Sequence, residues 1–198
     1  MELSSVKWTP LLVSIITVII YVDTFSLHPF LATYAMELGA TPLIVGLVVA
    51  LYSLTEDIFE PPLGYIMDKL GRRKLLLTIG LMIDATAMIL YSLPEAPEQL
   101  LAVRMLHGVG GAMAGPAIMS LIADVPHPLA RMGARMGLYG STIGTSAIIG
   151  WFLGGTLVAR MGYAPLFYFI SSLLLLAALL SRFIAEPLPP PRSRLSPH

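Results

Sequence analysis

The sequence predicts an all-α membrane protein with six transmembrane helices. Two observations lead to this fold class. First, 56% of the 198 residues are hydrophobic and only 12% are charged, whereas soluble domains carry roughly 25% charged residues. Second, the apolar residues fall into six long segments, and a helix needs about 20 such residues to cross a bilayer. Because so few charges cannot cover a water-facing surface, we expect lipid to cover much of this one.

The first three spans are separated by residues that favour turns. The apolar stretch of the first span is too long for a secretory signal peptide, and only Lys7 precedes it as a basic residue, so we expect the span to be retained. Gly39 and Pro42 separate it from the second span, and Gly71 stands between the second and the third. These predicted spans are residues 8–35, 42–67 and 74–93.

The last three spans are delimited in the same way. Proline and glycine residues stand at or between their ends, at Pro94, Pro97, Pro126, Pro128, Gly162 and Pro165. These predicted spans are residues 98–124, 135–159 and 165–185, so the membrane domain covers residues 1–185. Residues 186–198 are polar and rich in proline, which predicts a cytoplasmic tail or linker.

Lys and Arg residues predict the orientation, because cytoplasmic loops carry an excess of them. Ten of the twelve fall on one side of the predicted membrane, Arg160 falls on the other, and Arg104 lies within a span. Both termini and the 2–3 and 4–5 loops are therefore predicted to be cytoplasmic, most simply in a cytoplasmic (inner) membrane. Four aromatic residues are then predicted near the outer interface, namely Tyr34, Tyr91, Tyr163 and Phe167.

Several ionisable residues lie within the predicted spans, where their cost points to function. They are Asp23, Glu56, Asp57, Glu60, Asp84 and Arg104, with His28 and His107 nearby. From a rise of about 1.5 Å per residue, Asp23 lies roughly 22 Å from the inner end and Arg104 roughly 9 Å from the outer end. These depths nearly coincide in a core about 30 Å thick, which predicts an Asp–Arg pair facing a cavity. The alternative is a fixed ion pair that locks the first helix to the fourth.

The remaining acidic residues differ in how well they suit proton transfer. Glu56 lies deep in the second span and is a candidate proton carrier, whereas Glu60, one turn away, is expected to be solvated near the interface. Asp84 lies near mid-depth and suits either proton transfer or a hydrogen bond to a neighbouring helix. Burial favours the neutral form of a carboxyl group, so proton uptake is a reasonable role for these residues. His107 borders the face of Arg104, and isolated histidines in spans more often serve packing.

The loop after the second span carries a recognisable motif. It reads Gly64-Tyr-Ile-Met-Asp68-Lys69-Leu-Gly71-Arg72-Arg73-Lys74 and resembles the signature of the major facilitator superfamily, in the loop where that family has it. The resemblance implies a cytoplasmic charge cluster of Asp68, the arginines and Asp124 that stabilises one conformation of a transporter.

Three weaker matches point to drug–proton antiporters within that superfamily. Arg104-x-x-x-Gly108-x-Gly110 resembles the family's helix 4 motif, whose arginine is linked to proton coupling, and Val22-Asp23-Thr24 resembles an acidic motif of helix 1. Glycines of the fifth span resemble the antiporter motif, although Trp151 stands where that motif has proline and Ser146 replaces another glycine. The matching residues are Gly137, Gly150, Gly154 and Gly155.

The resemblance covers residues 8–185 as one half of a twelve-helix fold. It implies a secondary transporter for a small-molecule substrate, coupled to protons, with the lipid bilayer as surroundings and no cofactor. One hypothesis is a homodimer of half-sized subunits, with the glycine-rich fifth helix at the seam. A second is that the chain is the amino-terminal half of a longer or heteromeric transporter. A third is a non-transporting assembly or regulatory protein whose internal charges are structural.

The sequence does not support other classes of function. It contains no Walker motif for ATP-driven pumping, no nucleophile motif and no metal-ligand spacing, which argues against an enzyme and against a metal site. It has no cysteine and no basic block that would indicate nucleic acid.

Overall fold

The computed structural model describes residues 2–123 and 132–185, which form six α-helices. The helices are α1 (Glu2–Glu37), α2 (Pro42–Leu70), α3 (Arg73–Leu90), α4 (Pro97–Ala123), α5 (Met132–Met161) and α6 (Tyr163–Ser181). Prolines inside α1, α2 and α4 do not end these helices. The all-α class predicted from composition is confirmed for the described residues.

Five of these helices are long and apolar enough to cross a membrane, namely α1, α2, α4, α5 and α6. The remaining helix, α3, has 18 residues, which corresponds to about 27 Å, and it contains Arg73, Lys74 and Asp84. Five spans are thus supported by length and composition, and the sixth stays a prediction.

Glycines in the left-handed conformation set two of the helix boundaries. The amide of Gly71, at φ 62°, donates to the carbonyl of Met67 and ends α2 at Leu70, three residues later than predicted. Gly162, at φ 83°, separates α5 from α6. Both conformations are readily available only to glycine. The third helix, α3, ends at Leu90 rather than at the predicted residue 93, because the chain turns ahead of Pro94.

The helices pack in a pattern that repeats between the two halves of the chain. α1 packs against α5, and α4 packs against α2. If α1, α2 and α3 are matched in order with α4, α5 and α6, these two helix pairs correspond to each other. α3 lies against both α4 and α6. This arrangement is typical of inverted three-helix repeats. It leaves α2 and α5 as the helices with the smallest buried fraction among the five spanning candidates.

Small residues bring the paired helices close together. A β-carbon on Gly108 would lie 2.7 Å from the carbonyl oxygen of Tyr52 in α2. One on Gly154 would lie 2.5 Å from the carbonyl oxygen of Ser26 in α1, and Gly150 faces the same part of α1. Gly155 lies against the ring of Phe30 with ordinary spacing.

The glycines at the start of α5 differ from this group. Among the described residues, a β-carbon on any of them would meet no atom within 4 Å. We call this set the glycine face of α5, formed by Gly133, Gly137, Gly140 and Gly144. The prediction that the helix 5 glycines form one seam therefore needs correction, because Gly150 and Gly154 are occupied by α1 within the same chain.

The two ends of the bundle have different chemistry. At one end four aromatic rings pack together with centroid distances of 4.7 to 6.4 Å, from Tyr34, Tyr91, Tyr163 and Phe167. At the other end lie basic side chains that we call the basic end, namely Lys69, Arg72, Arg73, Lys74 and Arg182. The two ends of the membrane domain also meet there, since the amide of Ala185 donates to Thr9 Oγ1 at 3.1 Å.

Candidate functional site

His107 lies where three helices meet in the interior of the bundle. Its Nε2 atom, on α4, is 3.1 Å from Oδ2 of Asp23 on α1. The same nitrogen is 3.9 Å from Oδ1 of Asp84 on α3. Two carboxylates from different helices thus share one imidazole. With the residues that hold it, this group forms the central cluster, defined as Asp23, Asp84, Tyr91, Arg104 and His107.

Arg104 lies one turn before His107 on α4 and is held by α2. Its Nε donates to the carbonyl oxygen of Val48 at 2.9 Å, and its Nη2 donates to that of Val49 at 3.3 Å. The guanidinium carbon is 4.8 Å from the centre of the Tyr52 ring, a cation–π geometry. The planar, five-donor head of arginine suits this combination of stacking and directed hydrogen bonds.

Tyr91 connects the arginine to the histidine. Its hydroxyl oxygen accepts from Arg104 Nη1 at 3.4 Å and lies 3.4 Å from Nδ1 of His107. An ionised Asp23 only accepts hydrogen bonds, so His107 carries hydrogen on Nε2 when it donates to it. In a neutral ring Nδ1 then accepts from the Tyr91 hydroxyl, and adding a proton to Nδ1 reverses that bond. Protonation of His107 therefore changes its contact with the partner of Arg104.

The central cluster is closed to its surroundings. The exposed fractions are 3% for Asp23 and Asp84 and 1% for Arg104 and His107. Asp23 pairs with His107 instead of the predicted Arg104, and the cavity predicted beside these residues stays a prediction. Residue counting predicted Asp23 and Arg104 at a similar depth, but counting does not give the direction in which each side chain leaves its helix.

Both carboxylates retain one oxygen without a partner among the described residues. These atoms are Oδ1 of Asp23 and Oδ1 of Asp84, and both are buried. Asp84 fits because Gly110 has no side chain, since a β-carbon there would overlap the Asp84 carboxyl group. A buried carboxylate oxygen without a hydrogen bond is costly, so the arrangement favours a species that binds these oxygens.

One proton removes the net charge of the central cluster. Two ionised carboxylates and Arg104 leave one net negative charge, and a single proton shared by Asp23, Asp84 and His107 brings the sum to zero. One donor atom from each of these three residues lies within 4.8 Å of the others, which would also suit a metal ion. A closed zinc site takes four protein ligands, and only three are assembled here from the described residues.

Three acidic residues follow Tyr52 on α2, namely Glu56, Asp57 and Glu60. The Tyr52 hydroxyl donates to Glu56 Oε1 at 3.4 Å, which links this carboxylate to the ring that Arg104 covers. Glu56 is partly buried, whereas Asp57 and Glu60 are exposed. We call these three residues the carboxylate patch of α2. Glu60 lies ten residues before the end of α2, and its interfacial position stays a prediction.

The residues of the 2–3 loop motif lie apart from the central cluster, at the basic end. Asp68 and Arg72 are exposed, and Arg73 is partly exposed. Gly64 faces open space, whereas Gly71 has the structural role described above. The predicted partner of Asp68, Asp124, lies outside the described residues, so the charge cluster stays a prediction.

Sequence reasoning included His107 among the coupling residues but did not give it the central position. The signal that could have found it is its spacing from Arg104. A separation of three places both side chains on one face of α4, and Asp23 was already expected at the depth of that face.

Comparisons with known proteins agree on one family. The family model described as Major Facilitator Superfamily matches residues 13–198. The chain is 31% identical over 170 residues to an uncharacterised MFS-type transporter of Methanocaldococcus jannaschii, covering 82% of this chain and 44% of that protein.

Two bacterial relatives have more informative names. Multidrug resistance protein 1 of Bacillus subtilis is 33% identical and the quinolone resistance protein NorA of Staphylococcus aureus is 31% identical, each over 153 residues. Both alignments cover 77% of this chain and 39% of the relative. The chain therefore spans less than half the length of the curated relatives it matches.

Proposed function

The chain belongs to the major facilitator superfamily, and from that membership we propose that it forms one half of a proton-coupled secondary transporter for a small solute. The names of two relatives refer to multidrug and quinolone resistance. We extend this to a lipophilic, drug-like substrate carried by the present protein.

The observation that carries the proton assignment is the central cluster. Two buried carboxylates, each with one unpartnered oxygen, flank a single histidine at 3.1 and 3.9 Å. One proton neutralises the summed charge of Asp23, Asp84, Arg104 and His107. Gain or loss of that proton alters hydrogen bonds on α1, α3 and α4 together, and so gives a route from protonation to a change in helix packing.

The carboxylate patch of α2 supports a water-filled path beside this cluster. Glu56 lies fourteen residues from each end of α2, so the patch lies near the middle of the span. Asp57 and Glu60 are exposed on the bundle, and charged side chains at that depth face a cavity or another protein element rather than lipid. Tyr52 would relay protons between Glu56 and the side of the cluster that holds Arg104.

A complete transporter of this kind needs a second six-helix unit, and we propose a second copy of this chain. α2 and α5 carry the two features that suit such contact, the carboxylate patch and the glycine face. Small residues let membrane helices approach closely. With six spans, both termini cytoplasmic and an inner-membrane location, two copies would pair about an axis normal to the membrane. The alternative is a different six-helix half as partner. It is supported by the alignments, in which this chain covers less than half of each relative.

The number of copies is tested by the protein mass of the purified chain in nanodiscs. We expect the mass of two chains per particle. A single chain per particle would contradict the homodimer and direct the search to a second, different six-helix chain in the native membrane.

The proton assignment is tested by transport into liposomes that contain the purified full chain, with ethidium as the lipophilic cation and an imposed pH gradient. We expect Asp23→Asn to abolish pH-driven ethidium movement, because the amide preserves shape and cannot take up the proton. Glu98→Gln, at an exposed position in the first turn of α4, is the matched control and should transport normally. Undiminished pH-driven transport by both Asp23→Asn and Asp84→Asn would show that the central cluster does not carry the proton.

A further inference from the structure

A groove between α3 and α6 opens at the basic end of the bundle, away from the central cluster. Its volume is about 760 Å³. Arg72, Lys74 and Arg182 line one end, and Leu75, Met82 and Leu179 are among the residues that line the rest. We call this feature the basic groove. Lys74 and Met82 are eight residues apart on α3, so the groove extends along the helix for about 12 Å.

The walls of the basic groove are held together by polar contacts. Lys74 Nζ, at the start of α3, donates to the carbonyl oxygens of Arg182 and Ile184 at 2.6 and 3.2 Å, beyond the end of α6. The hydroxyl groups of Thr78 and Ser181 lie 2.7 Å apart. These bonds fix the separation of the two helices.

The charged end of the groove has one sign. Two arginines and one lysine line it, and none of the described lining residues is acidic. The amino terminus of α3, which carries a partial positive charge, lies at the same end, and its N-cap residue Arg72 makes no capping bond with its side chain. Both arginine side chains are exposed. The complementary ligand group is therefore an anion, and phosphate suits arginine best.

The remainder of the groove is apolar and exposed. The exposed fractions of Leu75, Met82 and Leu179 are 41%, 46% and 58%. The apolar part of the basic groove continues directly from its basic end. This shape matches a molecule with an anionic head and a hydrocarbon chain. A free phosphate ion would use only the basic end and leave this part uncovered.

We propose that the basic groove binds one anionic phospholipid, with its phosphate between Arg72 and Arg182 and an acyl chain along Leu75, Met82 and Leu179. Basic pockets between membrane helices at the cytoplasmic side bind such head groups, and this is the side predicted from the Lys and Arg distribution. A lipid bound in the basic groove would contact both α3 and α6 and stabilise their packing against each other. The inference does not depend on the transport activity proposed above.

The test is native mass spectrometry of the delipidated full chain with either phosphatidylglycerol or phosphatidylcholine added. We expect one tightly held phosphatidylglycerol and no equivalent phosphatidylcholine. Arg182→Gln should weaken retention about fivefold, since each Lys or Arg near an anionic surface contributes of that order. Arg160→Gln is the matched control, because Arg160 is also exposed but ends α5 at the opposite end of the bundle.

A second variant separates the lipid from other anions. Leu179→Trp fills the apolar part and leaves every basic residue, so it should also reduce phosphatidylglycerol retention, with the thermal melting curve confirming a folded protein. Equal retention of both lipids, or equal loss in Arg182→Gln and Arg160→Gln, would overturn the proposal. Competition by inorganic phosphate at millimolar concentration would overturn it too, because the site would then be a simple anion site.

Discussion

His107 joins residues that are far apart in the sequence, since Asp23 precedes it by 84 positions. One ring contacts Asp23 and Asp84 through Nε2 and Tyr91 through Nδ1. A side chain with two nitrogen atoms can be bound on both sides and still take up a proton. At the scale of the residue, this makes the histidine the point at which contacts from α1 and α3 meet α4.

Arg104→Lys is expected to lower the free energy of unfolding by about 2 kcal/mol, although the charge is retained. Lysine cannot reproduce three directed N–H donations together with stacking on Tyr52. Thermal unfolding in detergent, followed by circular dichroism, measures the change. Arg160→Lys alters an exposed arginine and should stay within about 0.5 kcal/mol of the parent. Equal melting temperatures for both variants would contradict the structural role given to Arg104.

The chemical identity of the site residues could be predicted, but their pairing could not. Ionisable residues stand out in an apolar sequence, and Asp23, Asp84 and Arg104 were identified for that reason. Which of them touch depends on the rotation of each helix about its axis, and a rotation by one residue is about 100°. The partners of Arg104 are also backbone carbonyls of Val48 and Val49, which have no signal in the sequence.

At the scale of the element, α4 illustrates how glycines determine contacts. Gly110 and Gly80 lie against each other where α3 crosses α4, and Gly110 also faces the carboxyl group of Asp84. Gly115, on the same helix, has open space around the position of a β-carbon. Two glycines five residues apart therefore have opposite tolerance to a methyl group.

Gly110→Ala should destabilise the protein by about 2 kcal/mol, because overpacking forces α3 and α4 apart or displaces Asp84. Gly115→Ala should be neutral or stabilising by up to about 1 kcal/mol, because alanine is the better helix former. The comparison of the two melting temperatures measures the difference. A lower melting temperature for the Gly115 variant than for the Gly110 variant would refute this view of the α3–α4 contact.

The elements themselves were predictable because long apolar segments punctuated by proline and glycine determine them. Errors arose at the ends, where capping decides. α2 extends to Leu70 because Gly71 adopts the left-handed conformation, and α6 stops at Ser181 rather than residue 185, directly before Arg182. α3 was predicted as a span on its apolar pattern, and what separates it from the other five helices is its charge, since Arg73, Lys74 and Asp84 all lie within its 18 residues.

At the scale of the whole molecule, the uneven burial of the helices is informative. In the most apolar stretch of α2 and of α5, about a fifth of the residues are buried, whereas in α1, α4 and α6 roughly half are buried. The uncovered surfaces contain the carboxylate patch and the glycine face, which are poor surfaces to present to lipid. A partner unit would cover them.

Gly140→Trp is expected to reduce the dimer fraction in nanodiscs by tenfold or more while leaving the melting temperature of the isolated chain unchanged. No atom of the described residues lies within 4 Å of the position of its β-carbon, so we expect the ring to obstruct an external partner. Ala159→Trp adds nearly as much bulk at an exposed α5 position outside the glycine face and serves as the control. If Gly140→Trp dimerises as well as the control, the glycine face is not the contact surface.

The hydrogen bond between Ala185 and Thr9 brings the last described residue of one bundle beside the first turns of the same bundle. In a gene that encodes two copies in tandem, the linker would therefore run along a single end of the two bundles. Such a fusion fixes the stoichiometry and lets one copy carry Asp23→Asn while the other stays intact. Its turnover would reveal whether two sites in one particle work independently, alternate, or must both be competent.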